Sequence, residues 1–381
     1  MDFSLTEEQV MVRNMAWQFA AKSIEPTATG DDTAEHFPQE IIGQMAPLGL
    51  LGSIVPQEYG GSGLDYISHA IITEGIARTS LSIALSVFGG HSVVEEMLMT
   101  WGSGQQKQRY LPLMCTGELF SCCALNEPGV GTDVGNFGSR AELSQGWWVI
   151  NGEKVFIING GVANLILAVT KVIENGEERG LGAFLITRDV AGFSSQDITN
   201  KNGLRACNIA NVYFRDCRVP QENLLGSIEK GNNIVESLVH GINFSIAASC
   251  VGVAQACVDA SIKYAEERQA FGSTIGKFDM IQEMIADMTI GTEAARLLTY
   301  QVADLKNRKQ PFSKQLAMAR YLASDAAIRA ATDAILIHGA YGFSKDLPLE
   351  RYFRDVAEAI QDGGSPLIHK LAVARHALGI S

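Results

Sequence analysis

Basic charge is scarce in this sequence: 30 Lys and Arg face 42 Asp and Glu, which leaves a formal net charge of −12. Nucleic-acid binding rests on clustered Lys and Arg that neutralise phosphates, so the balance argues against that class and no nucleic-acid partner is expected. Long apolar runs are missing too. None reaches the roughly 18 residues of a membrane helix, and the first nine residues are acidic and polar where a secretory signal would be basic and then apolar. These absences predict a cytoplasmic protein with no membrane anchor. The seven cysteines (Cys115, Cys122, Cys123, Cys207, Cys217, Cys250 and Cys257) are odd in number and show no C-x-x-C spacing. That predicts reduced, buried thiols, with neither a disulfide framework nor a metal site. Cys122 and Cys123 are adjacent, and on an extended strand their side chains point to opposite faces.

What is present is the composition of an ordinary globular protein, 46% hydrophobic and 19% charged over 381 residues. That length suits two or three domains of about 100 to 200 residues each. Residues 5–113 repeat apolar positions at helical spacing, interrupted by a Gly-rich turn at 56–63. Ser4 or Thr6, followed by Glu7 and Glu8, offers a helix start. Between about 120 and 225 the period changes. Asn151-Gly152 lies between two β-prone runs and predicts a hairpin, with further strands at 165–170, 181–187 and 210–214. From Gly231 the helical period returns, with Ile281, Ile285 and Met288 on one face and a short connection at 307–312. The fold class expected is α+β: an N-terminal α-helical domain (1–119), a middle β domain (120–228) and a C-terminal four-helix bundle (229–381).

Four motifs stand in sequence: LNEPGVGTD from Leu125, NGEKVFIINGG from Asn151, ERQAFG from Glu267 and GAYGFSKDLPLERYFRD from Gly339. In their order and spacing, over essentially the whole chain, these resemble the acyl-CoA dehydrogenase family. The resemblance implies FAD as cofactor, an acyl-CoA thioester as substrate, an electron-transfer flavoprotein as acceptor and a homotetramer. It places Leu125 and Asn126 at the flavin pyrimidine ring, Thr132 toward both the cofactor and the CoA part, and Phe156 over the isoalloxazine, where the family usually has Trp. Arg268 and Phe271 would reach FAD across a subunit interface, and a guanidinium suits a pyrophosphate through paired hydrogen bonds. Gly339 and Gly342 look like a second Gly-rich cofactor contact, and Ser365 falls where a hydroxyl usually reaches FAD.

Against that pattern several groups are missing. Ile158 stands where Thr is usual near flavin N5, Asp279, Leu336 and Leu367 replace glutamines, and Asn243 replaces an Arg on the CoA side. Lost neutral hydrogen bonds cost about 0.5–1.5 kcal/mol each. The family's catalytic carboxylate follows the Arg-Asp pair, here Arg354-Asp355, by eight residues, which is Gly363; the alternative position in the bundle is Ile242. Neither is acidic. The candidates to take over as base are Asp362, one residue out of register, and His91 in a Phe-Gly-Gly-His loop, with His240 behind them. Gly363 would leave room in the substrate site for bulk beside the α-carbon. The reaction expected is FAD-dependent dehydrogenation of an unusual acyl thioester, cyclic or unsaturated, with a relocated base. Oxygenation or elimination on the same scaffold, a carrier-protein-bound substrate, and FAD or acyl-CoA binding without turnover are the alternatives.

Overall fold

The computed structural model describes residues 4–131 and 136–380. Several helices, four of them in the N-terminal part, begin where a side chain satisfies the unpaired first-turn amides. Thr6, not Ser4, caps α1 (Glu7–Phe19) in a reciprocal capping box with Gln9. A π-helical turn at Ala20–Ile24 leads into α2 (Glu25–Ala34), and α3 (Gln39–Met45) follows. Asp65 caps α4 (Tyr66–Ala77), and Ser80 caps α5 (Leu81–Ala84). A second π-helical stretch, Leu85–His91, joins α5 to α6 (Ser92–Trp101). Ser103 and Gln106 form another capping box at α7 (Gly104–Cys115).

The middle of the chain is an eight-stranded sheet, built from β1 (Ser121–Ala124), β2 (Arg140–Ser144), β3 (Trp147–Ile158), β4 (Leu165–Glu174), β5 (Glu177–Thr187), β6 (Phe193–Asp197), β7 (Ile209–Pro220) and β8 (Leu224–Leu225). Its order is β6-β7-β3-β2-β4-β5-β8, with β1 parallel to β4. The hairpin expected at Asn151-Gly152 is absent. Those residues lie inside one long strand, at a register shift against β7 between Ile150 and Gly152. The tight turn is six residues earlier, at Gln145 and Gly146, which both have positive φ. Gly152 is needed because its backbone crosses Ser139: a Cβ there would lie 2.3 Å from Ser139 Cβ. Asn151 is committed to Asp216, accepting from its N–H at 2.9 Å. A second shift falls between Lys154 and Ile157, where Phe156 adopts φ +55° and turns outward, 66% exposed.

The C-terminal part is helical again: α8 (Gly231–Glu267), α9 (Asp279–Asn307), α10 (Ser313–His338), α11 (Leu349–Ala359) and α12 (Pro366–Leu378). The three long helices pack on one another, α4 packs on α8, and α12 runs along α10. One apolar core is shared by both helical parts and one face of the sheet, while the other face has its own core with Trp148, Phe184 and Phe214. Cys122 belongs to that second core and Cys123 packs against the first, so the pair does split across the strand. All seven cysteines are free, and burial pushes Cys122 and Cys207 up to about 12, which leaves them as unreactive thiols. Two helical stretches, Leu81–Trp101 and Ile228–Glu267, are long and apolar enough to cross a membrane, contrary to the reading of the sequence. Their apolar windows are 94% buried in the fold, which makes them core helices. No cluster of His, Cys, Asp and Glu fit to hold a metal occurs among the described residues.

The Arg354-Asp355 pair ties three regions together. Arg354 donates to Asp32 of α2 at 2.8 Å and to the Asn202 carbonyl at 2.9 Å, while Asp355 accepts the Leu204 N–H at 2.7 Å. This joint fixes where α11, and the loop that follows it, meet the β domain.

Candidate active site

Two cavities, of about 230 and 460 Å³, meet along one wall made of Asn126, Phe156, Ile158, Gln361 and Asp362. The first is narrow and largely apolar, and five glycines (Gly89, Gly90, Gly131, Gly363 and Gly364) bring its lining close to bare backbone. At Gly90 the chain passes so near β3 that a Cβ would lie 2.5 Å from Asn159 Nδ2. The π-helical turn at Leu85–His91 presents Gly89 and Gly90 to this space.

The 125–131 loop is pinned from β3. Lys154, fully buried, donates to the Leu125 carbonyl at 3.0 Å and pairs with Glu127 at 2.7 Å. Glu127 also accepts the Gly138 N–H at 2.5 Å and the Ser139 hydroxyl, and the Val155 N–H takes the Asn126 carbonyl at 2.9 Å. Burial pushes Lys154 down to about 8, with Glu127 pulling the other way. Burial also pushes Glu127 up, but Lys154 and the hydrogen bonds hold it below the ordinary carboxylate range. Leu125 and Asn126 line the first cavity. Thr132 lies outside the described residues.

Asp362 is the one carboxylate among the described residues lining the first cavity. Burial pushes its proton affinity up, while the Gly363 amide, 2.8 Å from Oδ1, and Arg320 act the other way. Gly363 has φ +65°, and a Cβ on it would lie 2.9 Å from Asn243 Oδ1. The first atom of any side chain at 363 would therefore press on Asn243. Asn243 itself is buried and does not line the cavity, which corrects its reading as a substrate contact. It donates to the Val239 and Gly363 carbonyls at 2.9 and 3.1 Å and accepts from Arg320 at 3.0 Å. Gly363→Glu, which restores the usual carboxylate position, is expected to fail: backbone strain of about 1–3 kcal/mol and the Asn243 clash lower Tm without raising turnover. Thermal unfolding together with thioester turnover of that variant checks this.

His91 does not line either cavity and is corrected as a base candidate. It is fully buried, stacked on Phe120 at 4.8 Å, and both ring nitrogens are occupied. Nδ1 accepts the Ser121 N–H at 3.2 Å, and Nε2 donates to the Met114 carbonyl at 3.2 Å. The flanking glycines reach the cavity because they have no side chain; the imidazole turns into the core. His240 is likewise outside both cavities, packed on Phe312 at 5.2 Å and 3.9 Å from Glu236. Ile242, beside it on α8, does line the first cavity.

The remaining candidates lie off the cavities of the single chain. Arg268 ends α8 on the surface, and Phe271 is 99% exposed. Gly339 ends α10 at φ +58°, Ser365 caps α12, and Asp279 opens α9, where a carboxylate suits the helix N-terminus. Leu336, Tyr341, Phe343 and Leu367 are exposed apolar groups near these. Three residues with a part in the cavity escaped the sequence. His369 lines it with a buried Nε2 that has no hydrogen-bond partner among the described residues, and burial pushes the ring down to about 4. Arg320 and Lys154 anchor the two loops from below. In sequence Arg320 shows only as a cation in an Ala-rich run, and Lys154 only as one of a Glu-Lys pair.

Family models for the acyl-CoA dehydrogenase N-terminal, middle and C-terminal domains match residues 6–118, 122–217 and 229–378. The mitochondrial short-chain specific acyl-CoA dehydrogenase of Mus musculus is 37% identical over 374 residues, 98% of this chain and 91% of that protein. The structure of a glutaryl-coenzyme A dehydrogenase in complex with glutaryl-CoA superposes with a TM-score of 0.96 at 35% identity, covering 100% of this chain and 98% of that one. The prolyl acyl carrier protein oxidase AnaB superposes at 0.92 with 28% identity, covering 99% of this chain and 100% of the other. The chain, helical at both ends around a β domain, belongs to the acyl-CoA dehydrogenase family of FAD-dependent oxidoreductases that act on CH–CH groups.

Proposed function

We propose that this enzyme dehydrogenates an acyl thioester with Asp362 as the base. The observation that carries the reading is that Asp362 alone, among the described residues lining the first cavity, is a carboxylate, in a protein whose two usual base positions are Gly363 and Ile242. The residues present fit FAD: the bulge at Phe156 lays an exposed aromatic ring along the wall shared by the two cavities, and glycine backbone borders the space. FAD, when bound, supplies the acceptor for the hydride. The protein's own part is to hold the acyl group in the apolar cavity, exclude water and take the proton from the carbon beside the thioester carbonyl onto the Asp362 carboxylate. Desolvation of that carboxylate suits the task, because it raises the basicity of the ionised form.

An unusual acyl group, cyclic or unsaturated, fits the displaced base, since Asp362 approaches from one residue before the family's position. The exposed surface around Phe271, Leu336 and Phe343 fits burial in a homotetramer in which Arg268 serves a neighbour's cofactor. An electron-transfer flavoprotein as acceptor, a cytoplasmic location, and CoA or a carrier protein as thiol belong to the same proposal. The short-chain and glutaryl relatives act on CoA esters, and the prolyl relative on an acyl carrier protein. Anaerobic mixing of the holoenzyme with a panel of straight, branched, cyclic and unsaturated acyl-CoA and acyl-carrier thioesters is expected to bleach the flavin with at least one. Failure with all of them overturns the reading, and thioester-dependent oxygen uptake would replace it with oxygenation.

A further inference from the structure

Arg320 is 0% exposed, and among the described residues it forms no ion pair. Its donors go to neutral oxygens. Nε reaches Asn243 Oδ1 at 3.0 Å, Nη1 the Ser324 hydroxyl, and Nη2 the carbonyls of Ile360 at 3.1 Å and Asp362 at 2.8 Å. Asn243, held in turn, donates to the Gly363 carbonyl at 3.1 Å. Three of four consecutive carbonyls in the 360–363 loop are thus clasped from the interior by one planar guanidinium and the amide it fixes. A buried cation with no direct ion pair is expensive. Packing alone would be served by an apolar residue on this Ala-rich helix, whose neighbours Ala317, Ala319 and Ala323 are buried.

We propose that Arg320 is the positioning residue of this active site: working through the loop carbonyls, it aims the Asp362 carboxylate at the cavity and sets a positive charge beside it. The inference rests on Asp362 being the base. By gripping the main chain and not the carboxylate, the guanidinium leaves the acid free to accept a proton, which a direct ion pair would obstruct. The groups facing Asp362 from other elements are His369 on α12, Cys123 on β1 and Cys207 before β7, with Cys250 of α8 near the guanidinium. Burial keeps the three thiols protonated, Cys250 at about 11, and keeps His369 neutral near pH 7. Among the described residues, Arg320 is therefore the group that carries charge beside Asp362 near pH 7. Lys in its place would keep the charge but lose the fork that spans two carbonyls, a hydroxyl and an amide.

The test is the pH dependence of anaerobic flavin reduction, read beside an infrared titration of the carboxyl band that disappears in Asp362→Asn. Arg320→Met is expected to move both midpoints upward by about one pH unit, hence to slow the reaction about tenfold on the acid limb, with KM unchanged because Arg320 does not line the cavity. Arg320→Lys and Asn243→Leu, which spare the charge and loosen the clasp, are expected to lower kcat at an unshifted midpoint. Unshifted midpoints in Arg320→Met overturn the electrostatic part; wild-type kcat in both other variants overturns the positioning part. Should Arg320→Met not fold, Arg320→Lys with a shifted midpoint, or with full activity, overturns the proposal. Wild-type rates in Asp362→Asn would instead sink the base assignment itself.

Discussion

Asp362→Asn is expected to slow flavin reduction by the bound thioester about 100-fold or more, the span of a general base. Asn keeps the volume and an oxygen for the Gly363 amide, so the loop should hold while the proton acceptor is gone. Stopped-flow reduction and substrate-induced spectral shifts separate the two effects: binding is expected to persist as the rate collapses. The same carboxylate is expected to set the pH profile. Its proton affinity is raised by burial, so the rate should climb with pH and reach its half-value above the ordinary carboxylate range of about 4. A second substitution sharpens the assignment. Ile242 lines the same cavity from α8, and Ile242→Glu in the Asp362→Asn background is expected to recover about tenfold of the lost rate. A double variant as slow as Asp362→Asn, measured with a substrate that the wild type oxidises, counts against a base on that side of the cavity.

Lys154→Met is expected to cost about 3–5 kcal/mol, because it strands Glu127 as an uncompensated charge in a site that is almost closed to water. The penalty falls on the 125–131 loop, whose Leu125 carbonyl loses its donor in the same step. The variant should melt well below the wild type and release FAD more readily, seen as a rise in free-flavin fluorescence before the unfolding transition. Glu127→Gln combined with Lys154→Met is expected to regain a large part of the loss, since no buried charge then remains to be compensated. If the double variant is no more stable than Lys154→Met, the pair is not what holds this loop.

The alternation of helical and strand periods along the chain carried most of the architecture, because amphipathic faces must match the cores they cover. The split of Cys122 from Cys123 was readable from strand alternation, and the start of α1 from its cap residues, with Ser4 and Thr6 both open until the structure showed Thr6. Asn151-Gly152 misled, since the dipeptide's turn preference is weaker than the crossing with Ser139 and the bond to Asp216, neither visible nearby in sequence. His91 misled likewise: its neighbours Gly89 and Gly90 do reach the cavity, but the π-turn geometry that sends the imidazole toward Ser121 and Met114 has no sequence signature. The meaning of Gly363 was hidden most deeply. It lies 120 residues from Asn243, and only the fold shows that a side chain at 363 would press on Asn243.

The π-turn at Leu85–His91 has an implication for how this cavity can change. A π-turn holds one residue more than the α-turn it replaces, so the segment is a single codon away from an ordinary helix. Excising one residue would rewind it and rotate what precedes α6 by about 100°, carrying Gly90 off the cavity wall and away from Asn159. The shape of the cavity would thereby change with chain length at a point inside a buried helix.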